Sequence, residues 1–483
     1  MSGRPPARRR GEPAGRRPGP ARPAPRREAD PARRVAYDLL RAVDERDAYA
    51  NLTLPALLRE RGLTGRDAAF ATELGYGTLR AAGALDEFLA RCADRPVGAM
   101  DPAARAALRL GAYQLLRTRV PPHAAVSATV DLAPRRAAGF VNAVLRRLAR
   151  QDWDAWVAEV APPDELGRLA LRHAHPRWIA AAFADALGGD LGETDDALAA
   201  DDARPQTHLV ARPGRIDRDR LAERAGGEPG PWSPYAVRLP SGGDPGALAA
   251  VRDGRAGVQD EGSQLCALAL ARVPLDGPDT RWLDLCAGPG GKAALLGSVA
   301  AVRARSGPDA GTAPAPRVVA VELAEHRARL VAATTAGLPV DVVRADGTVP
   351  PWRPGWADRV LVDAPCTGLG ALRRRPEARW RRSPDDLAGL IRTQRALFRR
   401  GIEATRSGGV IAYVVCSPHL AETRDVLTDV LAARADAEVL DAPALLPEVP
   451  GLRCPADGGH YAQFWPHRHG TDAIFLAVLR RQA

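Results

Sequence analysis

Apolar positions change their period along the chain, and each change predicts a different kind of element. Between residues 30 and 150 they recur at intervals of three and four. Val35, Leu39, Leu40 and Val43 make one such set, and Phe70, Leu74 and Leu79 another. Leu108, Leu110, Tyr113 and Leu116 follow, then Phe140, Val141, Val144, Leu145 and Leu148. That spacing puts each set on one face of a helix. Gly and Pro breaks separate the stripes, so the region predicts an all-α bundle over 30–150. Asp30-Pro31 and Asp101-Pro102 read as N-caps with proline at the first helical position.

Residues 151–275 are mixed. Helices are predicted from Trp153 and over 175–187, 217–224 and 262–271, with strands over 207–211 and 235–239. This reads as a small α/β subdomain. His173, His175 and His208 lack metal-ligand spacing and are expected at the surface or in caps. From 276 to 483, short apolar runs alternate with helical stretches. Strands are predicted at 282–285, 318–321, 340–343, 359–362, 410–415 and 474–479, and a helix over 293–301. Such alternation builds a doubly wound, mostly parallel sheet of the Rossmann kind. The Gly/Pro/Ala-rich stretch 301–316 is expected as a surface insertion. Residues 1–29, almost all Pro, Arg, Gly and Ala, are expected as a disordered basic tail.

Charge adds a partner to this picture. The 483 residues carry 68 Lys+Arg against 58 Asp+Glu, a net +10, which favours a polyanion and nucleic acid first. Six cysteines without a CxxC pair make neither a zinc pattern nor a disulfide framework, so no metal and a cytoplasmic location are expected. No apolar run reaches the ~18 residues of a transmembrane helix.

In a doubly wound sheet, ligands bind beyond the carboxyl ends of the strands. The first predicted strand ends at Asp284 and breaks into Cys286, Ala287, Gly288, Pro289, Gly290, Gly291 and Lys292 before a helix. Strand, tight turn and helix present N–H groups to a ligand. Lys292 is the only lysine among the 68 basic residues. The second strand ends in Glu322, placed to accept from both ribose hydroxyls of an adenosine cofactor. The third ends before Asp346, suited to an adenine amino group. The fourth runs into Asp363 and Cys366, and the next ends at Cys416. Residues 373–382 hold six arginines around Trp380. Arg373, Arg374, Arg375, Trp380 and Arg381 are the expected RNA contacts, since basic groups with an interleaved aromatic suit a phosphate backbone and an exposed base.

These motifs together resemble the RNA cytosine-C5 methyltransferase family, and within it the bacterial small-subunit rRNA branch of the RsmB/Sun type. The likeness rests on LDLCAGPGGK at 283–292, DAPCTG at 363–368, RRPEARWR at 374–381 and CS at 416–417. It implies a NusB-like RNA-binding domain over 30–150, a linker subdomain over 151–275 and a methyltransferase domain over 276–483. It also implies S-adenosyl-L-methionine as cofactor and methyl transfer to carbon 5 of a cytidine in 16S rRNA, through a cysteine adduct at carbon 6.

On the family pattern, Cys416 is the nucleophile, Asp363 faces nitrogen 3 of the base, and Cys366 assists release. The reverse assignment stays open, because related cytosine-DNA enzymes attack with a Pro-Cys thiol. Lys292 would hold the methionine carboxylate, neighbouring backbone or the base, and Arg327 is expected on a solvated helix face. Cys92, Cys266 and Cys454 are expected to be structural, and Cys286 to contribute backbone only. The sequence departs from the pattern at Val415, where Thr is usual, and at Glu322, where Asp is common. Two other functions fit: the same chemistry on tRNA or another RNA, and a non-catalytic RNA-binding assembly or antitermination factor. A monomer is the expected state.

Overall fold

The computed structural model describes residue 3 and residues 29–240, 244–306, 315–349, 351–454 and 458–482. The expected basic tail lies outside these residues apart from Gly3 and Ala29. The N-terminal part is helical, with Pro31–Arg46, Gly65–Ala93, Pro102–Arg117 and Ala138–Leu148 enclosing one core. Val35, Leu39, Leu74, Leu108 and Leu145 are fully buried in it, as the stripes require. Both caps form: the Asp30 carboxylate accepts from the Arg33 amide at 2.9 Å, and Asp101 accepts from Ala103 and Ala104 at 3.1 Å. Trp153 and Trp156 also belong to this core, with Trp153 edge-on to Phe88 at 5.1 Å between centroids.

Next comes a small antiparallel sheet of β1 (His208–Ala211), β2 (Glu228–Pro229), β3 (Ala236–Arg238) and β4 (Ala256–Val258), in the order β2-β3-β1-β4. Two of the three histidines are not surface residues. His175 is buried against Asp201 at 2.9 Å. His208, also buried, accepts from the Glu261 amide at 3.1 Å and so caps the helix Glu261–Arg272.

The main sheet contains β5 (Arg281–Asp284), β6 (Arg317–Glu322), β7 (Val340–Arg344), β8 (Ala357–Asp363), β9 (Thr405–Val415), β10 (Ala437–Leu440), β11 (Ala462–Gln463) and β12 (Phe475–Arg481). Its order is β10-β12-β9-β8-β5-β6-β7, with β11 pairing on β12. The ladder is parallel from β9 through β7 and antiparallel at β10 and β12. The six predicted strands are all present; β10 and β11 carry too little apolar pattern to have been seen in the sequence. The stretch 301–316 does not begin as an insertion, because the helix Gly291–Ser306 continues through its first residues. Residues 307–314 lie outside the described part.

Parallel strands bring their carboxyl ends to one rim. Register pairs Asp284 with both Ala320 and Leu361, and Asp363 with Val414. The glycine loop, Glu322, Asp363 and the residues just past Val415 therefore share one edge.

Candidate active site

The glycine loop turns on two residues that need to be glycine. A Cβ on Gly288 would lie 2.2 Å from Glu322 Oε2 and 2.8 Å from an Arg327 nitrogen, while Gly290 adopts φ +106°. Glu322, buried at the end of β6, accepts from the Ala324 amide at 3.0 Å. Arg327 is exposed on its helix, as expected, but it also reaches the loop. It donates to the Gly288 carbonyl at 2.8 Å and lies 3.5 Å from Glu322, so it ties the loop to the acid. Asp346 stands exposed past β7, its carboxylate accepting from the Thr348 amide and hydroxyl.

Under the loop, Asp284 is wholly buried. One oxygen accepts from the Cys286 amide at 3.3 Å, and the other has no partner among the described residues. Burial first, then the nearby Asp363 charge, pushes its carboxyl up to about 7. Cys286 is half-buried, and desolvation, with the charge of Asp284, holds its thiol well above the ordinary range. An inert thiol is what a backbone-only role requires.

Lys292 does not reach back to its own loop. Its ammonium sits 2.7 Å from Asp363 Oδ2, an ion pair across the gap between β5 and β8. The two cysteines meet beside it: Cys366 Sγ and Cys416 Sγ are 3.4 Å apart, and both residues are half-buried. The pair is electrostatically unequal. The Cys416 thiol is held below its ordinary value, first by its hydrogen bond with Cys366 and, against burial, by the Lys292 charge. Cys366 is pushed well above, by the same hydrogen bond, by burial, and by the charges of Cys416 and Glu422. Of the two, Cys416 is the thiol more disposed to ionise, while either sulfur can donate across the contact.

A polar group absent from the sequence reading surrounds this pair. The Glu422 carboxylate, fully buried, accepts from the Thr367 amide at 2.8 Å, from the Thr367 hydroxyl, and from Gln394 Nε2 at 3.0 Å. Gln394 Nε2 also donates to the Pro365 carbonyl at 3.0 Å, and the Thr367 and Ser417 hydroxyls are 3.2 Å apart. Glu422 and Gln394 lie in a 3₁₀ turn and a long helix with no motif spacing to mark them.

The arginine segment corrects an expectation. Arg373 and Arg374 each hold Asp472 at 2.9 Å, and Arg374 also holds Asp260 at 2.7 Å. Arg379, fully buried, bridges Asp201 at 2.9 Å and Asp202 at 3.2 Å. Trp380 donates to the Arg80 carbonyl at 2.9 Å, and Arg381 to the Val43 carbonyl at 2.8 Å. These side chains strap the helical domain and the small subdomain to the sheet; they do not form a free RNA-facing loop. Only Arg375 of the five expected contacts is exposed with its guanidinium unengaged among the described residues.

Residues 273–480 fit the family model for the 16S rRNA methyltransferase RsmB/F, and residues 30–150 that of the NusB family. The probable ribosomal RNA small subunit methyltransferase B of Bacillus subtilis is 30% identical over 469 residues, spanning 93% of this chain and 98% of its own. The chain belongs to the RsmB/F methyltransferase family. A putative methyltransferase of Mycobacterium tuberculosis is 56% identical over 464 residues, covering 94% of this chain and 98% of that protein. The crystal structure of PH0851 shares the fold, with a TM-score of 0.74 at 20% identity over 95% of this chain and 100% of that one.

The cofactor of this RsmB/F member is S-adenosylmethionine, and the rim suits it. Glycine at 288 lets the Glu322 carboxylate lie against the loop backbone, and the helix at Gly291 turns its first amides to the same edge. No helix of the described residues is long and apolar enough to cross a membrane, and no cluster of His, Cys, Asp and Glu among them would hold a metal ion.

Proposed function

We propose that this family member methylates carbon 5 of a cytidine in 16S rRNA, with Cys416 as nucleophile. The thiol pair carries the reading: a sulfur disposed to ionise lies 3.4 Å from a second thiol, beside a Lys–Asp ion pair. Small-subunit rRNA as the substrate is supported by the name of the Bacillus subtilis relative, and a cytoplasmic location accords with it. When bound, S-adenosylmethionine supplies an electrophilic methyl group. Glu322 would hold its ribose, Asp346 its adenine, and the Gly288 and Gly291 amides its methionine end, since the Cys286, Ala287 and Gly290 amides are bonded within the protein and Pro289 has none.

Carbon 5 of cytosine is a weak nucleophile. Addition of the Cys416 thiolate at carbon 6 forms a C–S bond and moves the ring electrons to carbon 5. Asp363, held by Lys292, would act at nitrogen 3 of the base as a protonated acid or hydrogen-bond partner, supporting the charge that addition builds there. Once Cys416 is covalently bound, it no longer carries charge. Two causes of Cys366's high basicity vanish with that charge, so the Cys366 thiol loses its proton more readily at this stage only. That proton passes to solvent water, and the Cys366 thiolate then takes the carbon 5 proton, directly or through a water. The C–H electrons form the 5,6 double bond, and the C–S pair returns to Cys416.

The test is transfer of labelled methyl from S-adenosylmethionine to 16S rRNA from a strain lacking this gene, followed by bisulfite mapping. One protected cytosine is the expected result. RNA binding without methyl incorporation would favour a non-catalytic assembly factor, and incorporation into tRNA alone would move the substrate.

A further inference from the structure

The loop that carries Cys366 is gripped from both sides by groups outside the recognised motifs. Gln394 Nε2 holds the carbonyl before the cysteine, Pro365, at 3.0 Å. Glu422 holds the amide after it, Thr367, at 2.8 Å, and also the Thr367 hydroxyl. Gln394 and Glu422 are themselves joined at 3.0 Å, so the clamp is closed. Thr367 passes the contact on to Ser417, the neighbour of Cys416, at 3.2 Å, and the Tyr413 hydroxyl fixes the Glu422 carbonyl at 2.8 Å. Glu422, Gln394 and Ser417 are fully buried and Thr367 almost so.

A buried carboxylate is costly, and it persists where several donors satisfy it. Here the donors belong to the release loop, to the helix behind it and to the strand that ends at the nucleophile. Among the described residues the Glu422 carboxylate is held by two amide groups and a hydroxyl, with no arginine or lysine. Such an acid contributes geometry, and its charge raises the Cys366 thiol whereas that of Lys292 lowers the Cys416 thiol.

We propose that Glu422, with Gln394, is the positioning residue that sets Cys366 for the release half-reaction. This rests on the reading of Cys416 as nucleophile and Cys366 as the release group. A misplaced Cys366 leaves addition at Cys416 intact and slows loss of the carbon 5 proton. The covalent intermediate then accumulates, which a general loss of stability does not cause.

The experiment uses the full chain, a 16S rRNA transcript and S-adenosylmethionine, with Cys366→Ala as reference. Covalent protein–RNA product is read on denaturing gels, alongside kcat and KM for RNA. Glu422→Ala is expected to lower kcat about 10- to 100-fold, the scale of a small misplacement of a reacting group. KM should stay within about two-fold, and the adduct should build up as in Cys366→Ala. Glu422→Gln, which keeps an acceptor for the Thr367 amide, should recover most of the rate.

Turnover of Glu422→Ala at the wild-type rate, or a fall in kcat with no adduct while Cys366→Ala traps one, would overturn the positioning role alone. Absence of adduct in Cys366→Ala would remove the underlying reading and the role with it. Should Glu422→Ala not fold, Thr367→Val decides. It removes only the hydroxyl contact and should show the same adduct at a lower level; a wild-type product pattern would count against the clamp.

Discussion

The rim at 363–367 and the strap at 373–381 are neighbours in the chain and treat charge in opposite ways. At the rim, Asp284 keeps an unpaired buried oxygen, and Cys416 is held toward its anionic form within reach of solvent. Along the strap, Arg379 is buried between two carboxylates, and Arg373 and Arg374 share Asp472 and Asp260. Charge left partly unsatisfied is available to a substrate, whereas charge satisfied within the protein is structural. Basic composition alone does not separate the two, because both stretches look equally functional in sequence.

Substitutions sharpen that contrast. Cys416→Ala should have the largest effect, lowering methyl transfer by about 10³-fold or more while leaving the unfolding midpoint close to wild type. Arg379→Ala should do the reverse. It leaves buried Asp201 with only His175 and Asp202 with only Arg117, a loss of about 3 kcal/mol measurable by denaturant unfolding. An Arg379 variant of full stability but weakened RNA binding would break the distinction.

Asp284→Asn tests whether rim charge works against stability. A carboxyl raised to about 7 in the folded chain contributes stability that is fully present below its unfolded value and is lost as pH rises through 7. Wild type should therefore lose about 2–3 kcal/mol between pH 5 and pH 8 that the Asn variant keeps. Identical pH dependence in the two proteins would show that Asp284 is satisfied by another group.

Lys292→Met removes the cation that favours the Cys416 thiolate. The thiol value rises, so alkylation of Cys416 near neutral pH should slow by about ten-fold per unit of rise, and its pH profile should move to higher pH. The smallest effect belongs to Arg375, the exposed member of the strap. Arg375→Ala should change stability by no more than about 0.5 kcal/mol.

Strand and helix periods were readable because the six main strands are short apolar runs bounded by turn residues. The rim residues were readable because parallel strands force their ends together, so Asp284, Glu322, Asp363 and Cys416 share an edge whatever the loops do. The partners of those residues were not. Arg327 sits five positions past Glu322, and only the helix orientation shows that it returns to Gly288. Glu422 and Gln394 carry no motif, and their meeting at the release loop depends on how a 3₁₀ turn packs on the helix Asp385–Ala404. The strap misled for the same reason: Asp201, Asp202, Asp260 and Asp472, which neutralise it, lie far away in sequence.

The assignment of the two thiols is tested most directly by incubating Cys366→Ala and Cys416→Ala with 16S rRNA and S-adenosylmethionine and resolving covalent protein–RNA species on a denaturing gel. With Cys416 as nucleophile, Cys366→Ala yields a stable adduct and Cys416→Ala yields none. An adduct in Cys416→Ala and none in Cys366→Ala would reverse the roles and contradict the charge asymmetry of the pair.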